Sequence, residues 1–345
     1  MKTPLSSLDP QRRSFLKLSG LLGLGVASAA LLPAEKAEAL LFGKKEFKVT
    51  KTKLSMGSYV AITAIHPSRD QAEEAIGLAY EEIDRLGKIF SHYDSASPVA
   101  ALNSSGQVGE VPEELSEVVA KALYFNHETG GAFDITVKPL LDLYRDSFAA
   151  GTIPAEGDIE RTLQRVGSDR LVYRNGVLQF TASDMAITLD GIAVGYIVDK
   201  VSELMTKHGV TNHLINASGD IRVSGNAAQG KAWTVAIQDP EKKKEYPDVV
   251  SMTEGAISTS GNYEIYYDRE KLFHHIVDGR TGHSPQLSRS VTVMAPTVLE
   301  TDALSTGVFV MGPKAGVDFI NQRSDYRCFI MAADGSISHS RNWKA

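Results

Sequence analysis

The sequence predicts an α+β fold, with helices packed on largely antiparallel sheet. Three observations lead there. Strand-like and helix-like stretches mix without the regular β-α-β alternation of a parallel sheet. Asn175-Gly176 joins two apolar runs, and a two-residue Asn-Gly turn makes a local antiparallel hairpin. Cys328 is the only cysteine among 345 residues, so a core and not disulfides must hold the fold, and no multi-cysteine metal site is available.

The first 39 residues read as a targeting segment. Gln11-Arg12-Arg13-Ser14-Phe15-Leu16-Lys17 is a twin-arginine signal, followed by a Gly- and Ala-rich apolar run, Leu18 to Leu32, and an A-x-A cleavage site at Ala37-Glu38-Ala39. Gly23 and Gly25 in that run are not a dinucleotide fingerprint, because no strand precedes them. A permanent membrane span needs about 20 apolar residues, more than the run offers. No cysteine follows the cleavage site to carry a lipid. The expected mature protein is residues 40–345, periplasmic, soluble, without a membrane span. Residues 1–39 hold five Lys/Arg and three Asp/Glu, so removing them takes the net charge from −6 to −8. Such an acidic chain is a poor partner for nucleic acid.

Strands are expected at Glu46–Val49 and Leu54–Ile65, the second alternating through Val60, Ile62 and Ala64. Ser68-x-x-Gln71 reads as a capping box, opening a helix that buries Ile76, Ala79, Ile83, Leu86 and Phe90. A second helix runs from Pro112 to about Thr129, buries Leu115, Val118, Val119 and Leu123, and stops at Gly130-Gly131. Residues 145–170 read as loop plus a short helix around Ile159–Val166, a surface insertion to which no function is assigned. Leu171–Phe180 is the Asn-Gly hairpin. The strand Ala186–Asp190 then leads through Gly191 and Gly195 into a helix burying Ile197, Val198, Val201, Leu204 and Met205, ending at Gly209. The free N–H groups at that helix start make an anion site. Further strands are expected at His213–Ala217, Ile221–Ser224, Trp233–Ile237 and Tyr326–Met331, the last burying Cys328. Glu241–Tyr246 reads as a solvated loop, and a soft internal boundary falls near 180–190.

The stretch Ser258–Thr306 carries the chemistry. His275-Ile-Val-Asp278-Gly-Arg280-Thr281-Gly282 sets an imidazole, a carboxylate and a guanidinium before a Thr-Gly turn. Asp302 and Thr306, four apart, share one helix face. Oxygen-only ligands suit a hard cation such as Mg²⁺. On spacing alone the pair is more simply an N-cap with a back-bonded threonine.

The order STSG…HHIVDGRTG…SVTVMAPT…TDALSTG resembles the C-terminal signature of the ApbE family, the FAD:protein FMN transferases. The resemblance extends over about 46–340, through Met56-Gly57, Ser91-His92-Tyr93, Gly131-Ala-Phe-Asp134 and Gly191–Asp199. It implies two interlocked lobes with the active site between them, FAD as substrate, and Mg²⁺ held by Asp302, Thr306 and the Gly191 carbonyl. Cofactor contacts carried over are Met56, Tyr93, Ala132, Phe133, Asp134, Asp190, Val194, Ile276 and Arg280. His275 is implied as the general base, with Asp278 to orient it, while Arg280 holds the loop or a phosphate. Three positions depart from the pattern. Thr188 replaces an Asp, for which Asp190 is the expected substitute on the same strand face. Val194 replaces a Lys. Gly279 replaces a Pro, which predicts a looser loop.

The activity so implied is Mg²⁺-dependent transfer of FMN from FAD to an acceptor threonine, with AMP released. The expected partner is a membrane-anchored redox protein with an exported domain. The same residues also fit an FAD pyrophosphatase, or a non-catalytic flavin-binding maturation factor, which the replacements at 188 and 194 motivate. A transporter's solute-binding module leaves the Asp302/Thr306 pair unexplained.

Overall fold

The structure, a computed structural model, describes residues 41–42, 46–241, 246–268, 270 and 272–343. The expected twin-arginine segment and most of the expected loop after Glu241 lie outside the described residues. The strands in chain order are β1 (Leu41–Phe42), β2 (Glu46–Ser55), β3 (Ser58–His66), β4 (Gln107–Val108), β5 (Leu171–Arg174), β6 (Val177–Phe180) and β7 (Asn212–Ala217). They continue with β8 (Asp220–Ser224), β9 (Trp233–Ala236), β10 (Val249–Met252), β11 (Glu254–Gly261), β12 (Ser288–Ala295), β13 (Arg327–Ala332) and β14 (Ile337–His339). The helices are α1 (Arg69–Phe90), α2 (Pro98–Ser105), α3 (Glu113–Glu128), α4 (Lys138–Ala149), α5 (Glu156–Leu163), α6 (Ala193–Lys207), α7 (Val298–Met311) and α8 (Pro313–Ile320).

Nine strands form one sheet in the order β1-β2-β3-β7-β8-β11-β12-β13-β14, and every described pairing in it is antiparallel. Successive residues point to opposite faces. Ile62, Ala64, Val291, Val293 and Ile330 therefore enter the main core beneath the helices, while Ile65, Met294, Phe329 and Met331 enter a second core capped by the β9–β10 ribbon. Helix α7 packs on β11 and β12, α6 crosses α7, and α1 packs on α6. Eleven of the 14 residues of α7 are buried, which makes it the central helix rather than an amphipathic cover. A third, small core joins α4, α5 and Val277. The α+β expectation holds.

Several local expectations change. β2 runs unbroken to Ser55 and turns at Met56-Gly57, where φ is 51° and 76°; both positions are left-handed, as a tight two-residue hairpin demands. Met56 is thus in the turn, not in an entering strand. Ser68 Oγ accepts from Gln71 N, but the Gln71 amide donates to the His208 carbonyl at 3.0 Å, so the reciprocal half of that box is absent. The complete capping box is Thr297/Glu300 at α7. Leu123 and Leu204 are half-buried at the rims of their helices. Residues 186–189 belong to no strand, and Asp190 lies in a turn. Cys328 is fully buried, and burial pushes its thiol up to about 12.

Candidate active site

The site lies at one end of the large sheet. The Met56-Gly57 turn, the Ser218-Gly219 turn and the last residues of β11 come together there, and the Ser58 and Ser218 hydroxyls touch. Met56 packs on Gly87 of α1.

Two helices meet end to side across this region. Asp199 of α6 accepts from the Val298 and Leu299 N–H groups at 3.0 and 2.9 Å, capping α7. Asp302 of α7 accepts from Gly195 N at 3.1 Å, capping α6 in return. Carboxylates at helix N-termini are favourable partners of the exposed N–H groups. The crossing is close because position 195 is glycine: a Cβ there would sit 2.5 Å from the Val298 carbonyl oxygen. Burial raises Asp199 to about 6, with the two N–H groups opposing.

Asp302 is 6% exposed. Its second oxygen has no hydrogen-bond partner among the described residues. Burial drives its pKa well above the carboxylate range, the Asp220 carboxylate adds to this, Gly195 N–H opposes, and Asp190 and Asp199 add further. Burial and three neighbouring carboxylates thus all oppose a negative charge on Asp302. Thr306 is half-buried beside it, its Oγ1 3.2 Å from Ser260 Oγ. A Cβ on Gly191 would lie 3.4 Å from Thr306 Oγ1 and 3.4 Å from the Phe133 ring. Asp302, Thr306 and Gly191 are therefore brought together. The back-bond to the Asp302 carbonyl comes from Ser305, at 3.0 Å, not from Thr306. Asp302 is not the N-cap of its own helix.

The donor set fits a hard divalent cation: one carboxylate oxygen, a hydroxyl and a carbonyl, in a pocket whose charge needs neutralising. Among the described residues no group of three or more His, Cys, Asp or Glu could hold a metal. A cation here would take few protein ligands, as Mg²⁺ does where phosphates and waters complete its shell.

His275 is half-buried, and its Nδ1 is 3.0 Å from the Ile265 carbonyl. A carbonyl only accepts, so Nδ1 carries the hydrogen and Nε2 keeps its lone pair. Burial lowers its pKa, leaving a neutral base, while the Ile265 carbonyl and the Asp190 charge oppose. Asp190 thus acts on both His275 and Asp302. His274 is fully buried, packs edge-on against Phe309 and donates from Nε2 to the Pro285 carbonyl. Burial lowers it to about 4.

Asp278 does not orient His275. Its carboxylate accepts three bonds from Arg280, from N at 2.9 Å and from Nε and Nη2 at 2.8 Å each. The bidentate geometry favours that partner, and the Ile265 carbonyl orients the imidazole instead. Nor is the loop loose at Gly279. A Cβ there would meet Val137 at 3.2 Å and Val166 at 3.3 Å, and the Asp278 carbonyl accepts from Thr281 and Gly282 N–H. Arg280 also reaches the Gly130 carbonyl at 3.4 Å and lies against Gly131.

The remaining candidates divide. Ala132 and Phe133 are buried, with the Phe133 side chain against Gly191 and Gly307. Asp134 Oδ1 accepts from Thr136 N, Thr136 Oγ1 and Ser168 Oγ, so it fixes its own turn. The Ile276 side chain is in the main core, which leaves only its backbone for a ligand. Val194 is half-buried against that core. Thr188 is buried, whereas Asp190 is exposed, with its backbone N–H 3.3 Å from Thr188 Oγ1. Tyr93 is exposed at the mouth.

Sequence patterns missed three parts. Asp220 contributes charge at Asp302. Asp199 makes the reciprocal cap. Residues 145–170 are no mere insertion: Ile159 of α5 packs where a Gly282 Cβ would be and Val166 lies against Gly279, so this segment, with Tyr144 just before it donating to the Gly282 carbonyl, braces the His275 loop.

The ApbE family model matches residues 56–330. The FAD:protein FMN transferase of Escherichia coli K12 is 30% identical over 265 residues, 74% of this chain and 75% of that protein. That of Haemophilus influenzae is 31% identical over 252 residues, 68% of this chain and 72% of that protein. The crystal structure of the ApbE protein from Thermotoga maritima superposes with a TM-score of 0.77 at 27% identity, covering 86% of this chain and 98% of that one. The Pseudomonas stutzeri flavinyl transferase ApbE in its apo form gives 0.76 at 25%, covering 86% and 95%.

Proposed function

The chain belongs to the ApbE family, and from that premise we propose that it is the flavin transferase that moves FMN from FAD onto a threonine of an acceptor protein, releasing AMP. The observation that supports this best is the buried Asp302 carboxylate, set beside Thr306 and Gly191 in a pocket of like charge, with the neutral His275 under the same Asp190 field.

Asp302, Thr306 and the Gly191 carbonyl would hold Mg²⁺, which supplies charge neutralisation at the diphosphate. The chain's own groups do the rest. His275 Nε2 takes the proton of the acceptor threonine. The threonine oxygen bonds to the FMN-side phosphorus, the bond from that phosphorus to the bridging oxygen breaks, and AMP leaves with that oxygen. The anion site expected at the start of α6 is not open: Ala193 N–H donates to the Leu189 carbonyl, Gly195 N–H to Asp302 and Tyr196 N–H to the Ile192 carbonyl. Arg280, anchored on Asp278, holds the loop that carries His275. Positioning and charge dominate such a transfer.

Asp302→Asn tests this. It keeps the size of the side chain and removes the buried charge. AMP release from FAD should vanish at any Mg²⁺ concentration, while the metal-free protein should melt no lower than wild type, since an uncompensated buried carboxylate is relieved. Wild-type turnover in Asp302→Asn would make the residue only a helix cap.

The Gln11–Lys17 motif supports export by the twin-arginine route, with the enzyme acting on the exported domain of a membrane-anchored redox protein. No helix among the described residues is long and apolar enough to cross a membrane.

A further inference from the structure

His92 lies between Ser91 and Tyr93, just past the end of α1. Its side chain is only 7% exposed, beside an Asp190 side chain that is 64% exposed, with Nδ1 3.7 Å from Asp190 Oδ1. On its other side its ring centre lies 3.9 Å from that of Tyr93, the planes tilted by 38°. Tyr93 itself is 69% exposed. One buried imidazole therefore touches two exposed groups at the mouth, an aromatic face and a carboxylate.

The backbone beneath is fixed. Ser91 ends α1, its Oγ accepts from Tyr93 N and Asp94 N at 3.2 Å each, and Ser97 Oγ donates to its carbonyl. A conjugated ring system stacks on a tyrosine face whose tilt is set from behind, and a carboxylate at its edge accepts from a ring N–H or a sugar hydroxyl.

We infer that His92 is a positioning residue for FAD: it braces Tyr93 and Asp190 as one unit, and the flavin nucleotide docks on that unit. This rests on the flavin-transfer function proposed above. His92 touches no reacting atom, so its loss should weaken FAD binding without slowing the chemical step.

The test is steady-state AMP release from FAD in saturating Mg²⁺ with an exported redox-protein domain as the threonine acceptor, with melting temperature recorded for each variant. His92→Ala should raise KM for FAD about 10-fold, with kcat changed less than about 2-fold. His92→Phe keeps a ring against Tyr93 and loses the contact with Asp190, so it should recover part of that loss. In a Tyr93→Ala background, His92→Ala should cost clearly less than its about 10-fold effect in the wild type, because the aromatic face is gone and only Asp190 is left to brace. An unchanged KM in His92→Ala, equal falls in kcat and kcat/KM, or full additivity with Tyr93→Ala would each overturn the inference. A lowered melting temperature with KM unmoved would also do so, leaving His92 as packing alone. Wild-type protein that releases no AMP would instead remove the flavin-transfer function itself, before any variant is compared.

Discussion

Gly195→Ala probes the α6–α7 crossing that places Asp302. The new Cβ would meet only backbone: Val298 O at 2.5 Å, Val298 C at 2.7 Å and Leu299 Cα at 2.8 Å. Ordinary contact begins near 3.4 Å, so α6 and α7 must separate by close to an ångström, about the difference between those distances. Overpacking of this kind costs about 1–3 kcal/mol, and alanine's helix propensity returns up to about 1. The net loss is about 1–2 kcal/mol, a fall in melting temperature of about 2–8 °C. Activity should suffer far more. The Gly195 N–H to Asp302 bond, at 3.1 Å, stretches out of range, and an ångström of misplacement in a catalytic constellation can cost about 10²-fold. Gly77 is the control: it lies on the exposed face of α1, and a methyl group added there would have nothing within 4 Å. Gly77→Ala should raise stability by about 0.5–1 kcal/mol and leave AMP release unchanged. Thermal melts and AMP release measured on both variants decide it. A Gly195→Ala protein that melts at or above wild type and turns over normally would refute the close crossing.

Other perturbations separate chemistry from packing. His275→Ala should slow AMP release about 10²–10⁴-fold with FAD affinity retained, and the wild-type rate should fall on acidification only below the ordinary histidine pKa, because burial lowers this group; a rate insensitive to the substitution would remove the base. His274→Ala, in a fully buried site against Phe309, should lower the melting temperature and spare kcat, which a kcat loss matching that of His275→Ala would contradict. His213 is fully buried between Ser202 Oγ and the Val210 carbonyl, and burial lowers it from 6.5 to about 4. The unfolded chain then binds a proton that the folded chain refuses. Stability is full above pH 6.5 and falls by about 3 kcal/mol as pH drops toward 4; denaturant melts of His213→Gln should show a shallower acid slope, and an unchanged slope would exclude this source. Replacing Arg12 and Arg13 by Lys should hold the precursor in the cytoplasm, whereas mature protein recovered from the periplasm would contradict twin-arginine export.

Where structure follows from local pattern, the sequence was legible. The 3.6-residue stripes of α1 and α6 and the Asn175-Gly176 turn are set by neighbours within a few residues, and all three form. Asp302 and Thr306 share a face for the same reason. The polar run Thr50–Lys53 hid the second half of β2, because that stretch is solvent-exposed beyond the two-residue β1 and carries no apolar alternation. The reciprocal caps of Asp199 and Asp302 join residues about a hundred positions apart, so no spacing rule finds them. Asp278 beside His275 suggested a pair, but Arg280, two residues on, offers a guanidinium whose fork matches the carboxylate better than an imidazole does. The family signature named the candidate residues; which side chain holds which had to come from the fold.

The most direct measurement is mass spectrometry of an exported redox-protein domain after incubation with this enzyme, FAD and Mg²⁺. Covalent attachment of an FMN group to a threonine, with one AMP released for each, is the predicted result, and it should disappear with Asp302→Asn. Free FMN and AMP in equal amounts, produced with Mg²⁺ while candidate acceptors stay unmodified, would contradict transfer and show water in place of the threonine.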